Sequence, residues 1–161
     1  MNVDEAAKKA VLRRFPYGLY GITVMSEGDD HAMTANWVTQ AAFEPPMVVV
    51  AIENDARSLP MIRDARAFAV NVLAAGQRDL AAQLGRSSRK VPYKLTGVPT
   101  RPGPVTQAPI LTEALGWLEC RVVATMPAGD HTLVLGEVVE AGVEHEREPL
   151  TLGATGMKYA G

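Results

Sequence analysis

The chain has 161 residues and a mass of 17.3 kDa, with 47% hydrophobic and 21% charged residues. That composition excludes wholesale disorder and predicts one domain over residues 1–161 with a core it can bury unaided. Sixteen Lys and Arg against eighteen Asp and Glu give a formal charge of -2, so no basic excess drives nucleic-acid binding. The lone Cys120 excludes an internal disulfide and a cysteine-based zinc site. The start MNVDEAAKKAVLRR has no apolar signal core, and the longest apolar run, residues 47–52, is too short for a bilayer; a cytoplasmic protein is expected.

Residues 3–15 read as a helix, with Asp4 and Glu5 in the first turn, basic residues after them, and Ala7, Val11 and Leu12 on one face. Pro16 stops it. Residues 17–25 and 32–43 read as two extended stretches joined at SEGDDH, a hairpin. After the breaker Glu44-Pro45-Pro46, the run MVVVAI (47–52) is apolar at every position, which predicts a strand covered on both faces, by a helix or by another subunit. Residues 59–65 read as a short helix with Pro60 in its first turn, and 68–73 (FAVNVL) as a strand. Residues 78–84 form another short helix, closed by Gly85. The stretch 85–109 reads as one long functional or mobile loop. From 117 to 126, Leu118, Cys120, Val122, Ala124 and Met126 alternate with a more polar set; with the turn at 127–130 and the stretch 131–143 this predicts a hairpin. The C-terminal GMKYAG reads as a short extended tail. Mostly strands with short helices between them point to a mainly β antiparallel barrel with peripheral helices rather than an alternating parallel fold.

Several chemistries lack their signatures. There is no GxGxxG after a strand, no phosphate loop, no HExxH and no GxSxG elbow, and His31, His131 and His145 share no ligand spacing, so no metal site is expected. Four constellations remain. Residues 31–40 place small residues beside hydroxyl and amide groups, so a flat ligand can approach the backbone closely; the plain alternative is an edge strand with Thr34 and Asn36 in water. Glu53, Asn54, Arg57 and Ser58 precede a helix whose free N–H groups suit a phosphate, with Ser58 as the cap and Arg57 as a charged fork; the alternative is a capped helix with an exposed arginine. Arg86, Ser87, Ser88, Arg89 and Lys90 make another anion-binding candidate, or a solvated loop. Gly129-Asp130-His131 places a histidine at a pocket mouth, or simply at an exposed turn. Cys120 reads as core.

Taken in order, FPYGLYGITVM, HAMTANWVTQAAFEPPMVVVAIENDARSLPMI, FAVNVL, LGWLECRVVATMPAGDHTLVLGEVVEA and GMKYAG resemble the flavin reductase-like, FMN-binding split-barrel family from about Phe15 to the C-terminus. The resemblance implies an antiparallel split barrel that forms a homodimer, with flavin near the subunit interface: FMN most often, FAD in some members. It implies NAD(P)H as co-substrate, with hydride passing from the nicotinamide to flavin N5, and a partner monooxygenase that takes the reduced flavin. Flavin chemistry also accounts for the lack of an acid–base dyad.

The same resemblance puts the strand of Met33, Thr34, Ala35, Asn36, Trp37 and Thr39 along the flavin. It puts Glu53, Asn54, Arg57 and Ser58 close to the flavin, Arg86, Ser87 and Ser88 at a phosphate, and His131 where nicotinamide stacks. The family often has Ser where this chain has Asn36. Two other activities fit the same architecture: a non-enzymatic FMN-binding electron-transfer module, and an FMN-dependent oxidase of the pyridoxamine phosphate oxidase kind.

Overall fold

The computed structural model describes residues 2–161. Helix α1 (Glu5–Leu12) is capped by Asp4, whose carboxylate accepts from the Ala7 N–H at 3.0 Å. It is shorter than the sequence suggests. None of its residues is buried, so no packing holds the turns on either side, and propensity alone does not sustain them.

Strands β1 (Tyr20–Ser26) and β2 (Asp29–Ala35) form the first hairpin. The chain then breaks at Asn36 and Trp37, and β3 (Val38–Ala42) and β4 (Met47–Glu53) form a second one. The stretch expected to be continuous over 32–43 is therefore two strands. Beyond them lie α2 (Ser58–Ala65), β5 (Ala67–Val72), α3 (Arg78–Leu84), β6 (Thr100–Pro102), β7 (Pro109–Leu111), β8 (Gly116–Ala128), β9 (His131–Val143) and α4 (Leu152–Thr155). The long loop is thus interrupted by β6, which pairs with β7 in a separate two-stranded sheet.

The main sheet has the order β2-β1-β5-β8-β9-β4-β3, and all of its pairings are antiparallel. Its two edge strands, β2 and β3, are consecutive in sequence and separated by only two residues. Three virtual bonds span at most roughly 11 Å, whereas seven flat strands would hold their edges roughly 29 Å apart. The sheet must curl until its edges meet at that corner. β2 and β3 do not pair, so the seam stays open. This is a split barrel.

Inside it Ile22, Val24, Val50, Ile52, Phe68, Cys120 and Val134 are buried, and Leu59 and Ile62 of α2 pack into the same core. Gly136 is required there: a Cβ would stand 2.7 Å from the Phe68 ring. In β4 only Val48, Val50 and Ile52 are buried, while Met47, Val49 and Ala51 on the other face stay half-exposed. The chain by itself covers one face of this strand, not two.

The alternation expected in β8 also fails. Bulges fall at Glu119/Cys120 and Val122/Ala124, and both Glu119 and Cys120 are buried. The face read as polar carries Trp117 and Glu119, and the β6–β7 sheet covers it, with Ala69, Ala108, Ile110 and Trp117 packing together. Buried Asn71 ties this cover down: it donates to Gly21 O at 3.0 Å and accepts from the Leu111 N–H at 2.9 Å. No helix among the described residues is long and apolar enough to cross a membrane.

Candidate functional site

A cleft of about 910 Å³ opens between β2, the turn from β4 into α2, α3 with the segment after it, and the C-terminal tail. Ala35, Ala51, Ala56, Ala81, Ala82 and Gly85 line it. Their small side chains leave backbone accessible on several sides, which suits a broad, flat ligand. Of the residues singled out from sequence, Met33, Thr34, Ala35, Asn36, Glu53, Arg57, Ser58, Arg86, Ser87 and Ser88 line this one cleft.

Several of them are already engaged. The Thr34 hydroxyl donates to Ala81 O at 2.6 Å, tying α3 to β2. The Asn36 amide donates to Tyr159 O at 3.0 Å and so holds the tail. Arg57 donates to Pro92 O at 3.1 Å, fastening the segment after α3 over the start of α2. Ser58 is not a cap. It is the first residue of α2, Arg57 precedes it in helical conformation without capping it, and the buried Ser58 Oγ has no hydrogen-bond partner.

Four of the expected site residues do not line the cleft. Thr39 is exposed on β3, with its hydroxyl on Gln40 O at 3.3 Å. Asn54 bonds Gly129 O and Thr132 Oγ1, locking the β4–α2 turn to the β8–β9 hairpin. Trp37, beyond the kink, stacks on His131 at 4.6 Å and on Tyr159 at 5.1 Å between ring centroids.

His131 is buried rather than open. Its Nδ1 lies 2.7 Å from Asp130 Oδ1, and its Nε2 lies 2.9 Å from Tyr159 Oη. Tyr159 Oη in turn donates to Glu53 Oε1. Burial and the Glu53 carboxylate push the Tyr159 hydroxyl pKa up, so it stays protonated as that donor. The histidine holds the Asp130 carboxyl pKa below its ordinary value. Access to His131 from the cleft therefore passes Tyr159.

The tail is the main part of the site that sequence reasoning missed. Met157, Lys158 and Tyr159 line the cleft together with Leu152 of α4. Six residues of mixed chemistry carry no periodicity that announces burial. Lys94 and His31 were also left out, although both line the cleft and both are buried. Burial, then Lys94, then Arg57 push the His31 pKa down to about 4. The cations of the lining, Arg57, Arg86, Arg89, Lys94 and Lys158, outnumber its acids, Glu53 and Asp55, which gives the cleft an anion-attracting character.

The flavin reductase like domain family matches residues 12–161. A flavin reductase (NADH) of Kitasatospora aureofaciens is 30% identical over 146 residues, covering 89% of this chain and 75% of that one. The reductase component of a 4-hydroxyphenylacetate 3-monooxygenase from Thermus thermophilus is 30% identical over 97% of this chain and 96% of its own. In structure, an NADH:FAD oxidoreductase of Streptomyces globisporus superposes with a TM-score of 0.83 at 29% identity, covering 94% of this chain and 90% of that one.

Proposed function

The chain belongs to the flavin reductase like domain family, and from that premise we propose that it is an NAD(P)H-dependent flavin reductase whose flavin lies in the cleft described above. The single observation that carries the reading is that cleft: about 910 Å³ between alanine-lined walls, with five cations against two acids in its lining. A flavin held there by Arg57, Ser58 and the 86–88 segment would supply the hydride-accepting redox chemistry.

The chain's own task is to bind and orient. Ala35, Ala51 and Ala56 give a floor close to backbone, Asn36 offers a polar edge, and Arg57, Ser58 and the 86–88 segment take the phosphate. FMN is the flavin proposed. Nicotinamide placement is proposed for Tyr159 at the cleft wall, with His131 and Trp37 stacked behind it as its support.

The Thermus relative is the reductase component of a monooxygenase, which supports delivery of reduced flavin to a separate oxygenase. We also propose a homodimer. The outward residues Met47, Val49 and Ala51 of β4 stand beside Leu133 and Leu135 of β9, in direct register as Val49↔Leu135 and Ala51↔Leu133. Ala51 also lines the cleft, so a second copy on this face would border the flavin.

The test is spectroscopic. Titrating the purified protein into FMN should quench flavin fluorescence with a micromolar or tighter midpoint, and anaerobic NADH or NADPH should then bleach the flavin band. A protein that leaves FMN fluorescence unchanged at tens of micromolar refutes the proposal. Flavin binding without bleaching by either nucleotide would instead identify an electron-transfer module.

A further inference from the structure

The C-terminal tail walls the cleft through Met157, Lys158 and Tyr159, yet little fixes it in place. Among the described residues, 157–161 make no backbone-to-backbone hydrogen bond. The near end of the tail is Gly156, which follows α4 in the left-handed region at φ 74° with nothing within 4 Å of where a Cβ would stand. A glycine in open space can turn there at little cost. The far end rests on α1. A Cβ at Gly161 would stand 2.7 Å from Lys9 Cγ and 3.1 Å from Lys9 Cα, and Arg13 Nε donates to Ala160 O at a long 3.5 Å. The tail thus has a hinge at one end and a weak catch at the other.

Tyr159 stands between these ends. It remains 41% exposed although its hydroxyl is bonded to His131 and Glu53, so its ring is a cover and not part of the core. The ring lies on Trp37, which lies on His131. The Trp37 indole N–H is buried in this arrangement without an acceptor. An unpaired buried donor penalises the closed state, and water or a ligand reaches it when a neighbour in the stack moves away. Trp37 sits between β2 and β3 and His131 begins β9, so Tyr159 is the member of the stack that no sheet holds.

We propose that the tail is a gate for the nicotinamide nucleotide: it pivots at Gly156, lifts Tyr159 off Trp37 and His131 to admit the nucleotide, and is caught again by Lys9 and Arg13. Closing returns Tyr159 to the wall of the cleft. This rests on the flavin reductase reading and adds a moving wall that the reading does not itself require. Lys9 and Arg13 do not line the cleft; they are positioning residues that act through Tyr159. Lys9 also precedes the residues matched by the family, which begin at 12, so this half of the catch lies outside the shared domain.

The experiment fastens the catch. In Lys9→Cys/Gly161→Cys the distances above bring the two side chains into bridging range for a disulfide, and buried Cys120 stays out of the reaction. FMN affinity is measured by fluorescence quenching. Bleaching of bound FMN by NADH or NADPH is followed by anaerobic stopped flow, in wild type, in the oxidised variant and in the same variant after reduction and desalting. The oxidised form should bleach at least about tenfold more slowly, because few molecules present an open entrance, with FMN affinity within about twofold; reduction should restore the wild-type rate. Arg13→Ala loosens the catch without a crosslink. It should raise the bleaching rate at low nucleotide by about two- to fivefold, as for one weak hydrogen bond, while the rate at saturating nucleotide and the FMN affinity stay within about twofold.

Equal bleaching before and after reduction overturns the gate, and Tyr159 is then a fixed wall. A double variant that will not oxidise also overturns it, since Gly161 is then not seated on Lys9, and so does an unchanged rate at low nucleotide in Arg13→Ala. If the oxidised form loses FMN affinity by the same factor as bleaching, the tail guards the whole cleft and the assignment to the nucleotide falls. Wild type that does not bind FMN, or binds it and is not bleached, removes the flavin reductase reading and the gate with it.

Discussion

Glu119 holds a segment of backbone where most carboxylates would hold a cation. Its Oε1 accepts from the Thr106 N–H at 2.8 Å and the Thr106 hydroxyl at 2.6 Å, and Oε2 accepts from the Val105 N–H at 3.1 Å. The side chain is fully buried, and a Cβ at Gly103 would strike it at 2.1 Å, so the glycine and the carboxylate require each other. Glu119→Ala leaves the N–H groups of exposed Val105 and half-buried Thr106 without their acceptor; with water able to reach them in part, at the low end of roughly 1–3 kcal/mol per stranded group, stability should fall by about 2 kcal/mol in urea unfolding at pH 7, with the slope unchanged. A loss under about 0.5 kcal/mol would mean that the β6–β7 cover holds without it. Beside it, burial and Glu119 push the Cys120 thiol pKa up to about 12, consistent with an inert core residue. Cys120 as core was legible in its apolar alternation. Glu119 was not: its strand face reads as solvent because its cover is two three-residue strands, one ending and the other starting in proline, with no periodicity of their own.

Among elements, those with a repeating pattern were legible and those defined by a single contact were not. The helices read at 59–65 and 78–84 appear as α2 and α3, and the turn at 127–130 joins β8 to β9 as expected, although the alternation within β8 breaks at its bulges. The break at Asn36 and Trp37 has no proline or glycine to mark it; it arises because the chain must leave one edge of the sheet and join the other. The tail from Met157 onward has no regular structure, and side-chain contacts hold it: Asn36 to Tyr159 O, Arg13 Nε to Ala160 O, the Met157 N–H to Thr155 Oγ1, Tyr159 Oη to Glu53 and His131, and the Tyr159 ring on Trp37. Tyr159→Phe removes both hydroxyl contacts while keeping the stack on Trp37. At about 1 kcal/mol for each net hydrogen bond, the tail should open roughly ten- to thirtyfold more often. Proteolytic nicking within residues 157–160, which follows the open population when opening is fast, should quicken by that factor while the melting temperature stays within about 2 °C, because the tail lies outside the barrel core. Unchanged nicking would show that ring stacking alone fastens the tail.

At the scale of the whole molecule, the curl of the sheet explains both the cleft and the face beside it. Joining edge strands β2 and β3 through two residues brings the end of β2 close to β4, and the walls of the cleft come from strands that would be far apart in a flat sheet. The same curl turns Met47, Val49 and Ala51 outward next to Leu133 and Leu135, with Met126 of β8 in register against Leu133. The apolar run 47–52 announced a strand needing two covers, and the barrel interior supplies only one. A half-exposed apolar patch that is continuous across three strands calls for a partner, and self-association on a two-fold axis sets each strand's patch against its own copy. Wild type should therefore elute with a light-scattering mass near twice the 17.3 kDa of the chain. Val49→Lys should return it to the single-chain mass, since a lysine on this face leaves a charge buried against leucine at the dimer centre. Ala51 belongs to both the patch and the cleft wall, so the same variant should weaken FMN about tenfold or more, and a monomer that binds FMN as tightly as wild type would separate the interface from the flavin site. A wild-type protein that runs as a monomer at tens of micromolar removes the interface altogether, and the exposure of Val49 and Leu135 would then need a different partner.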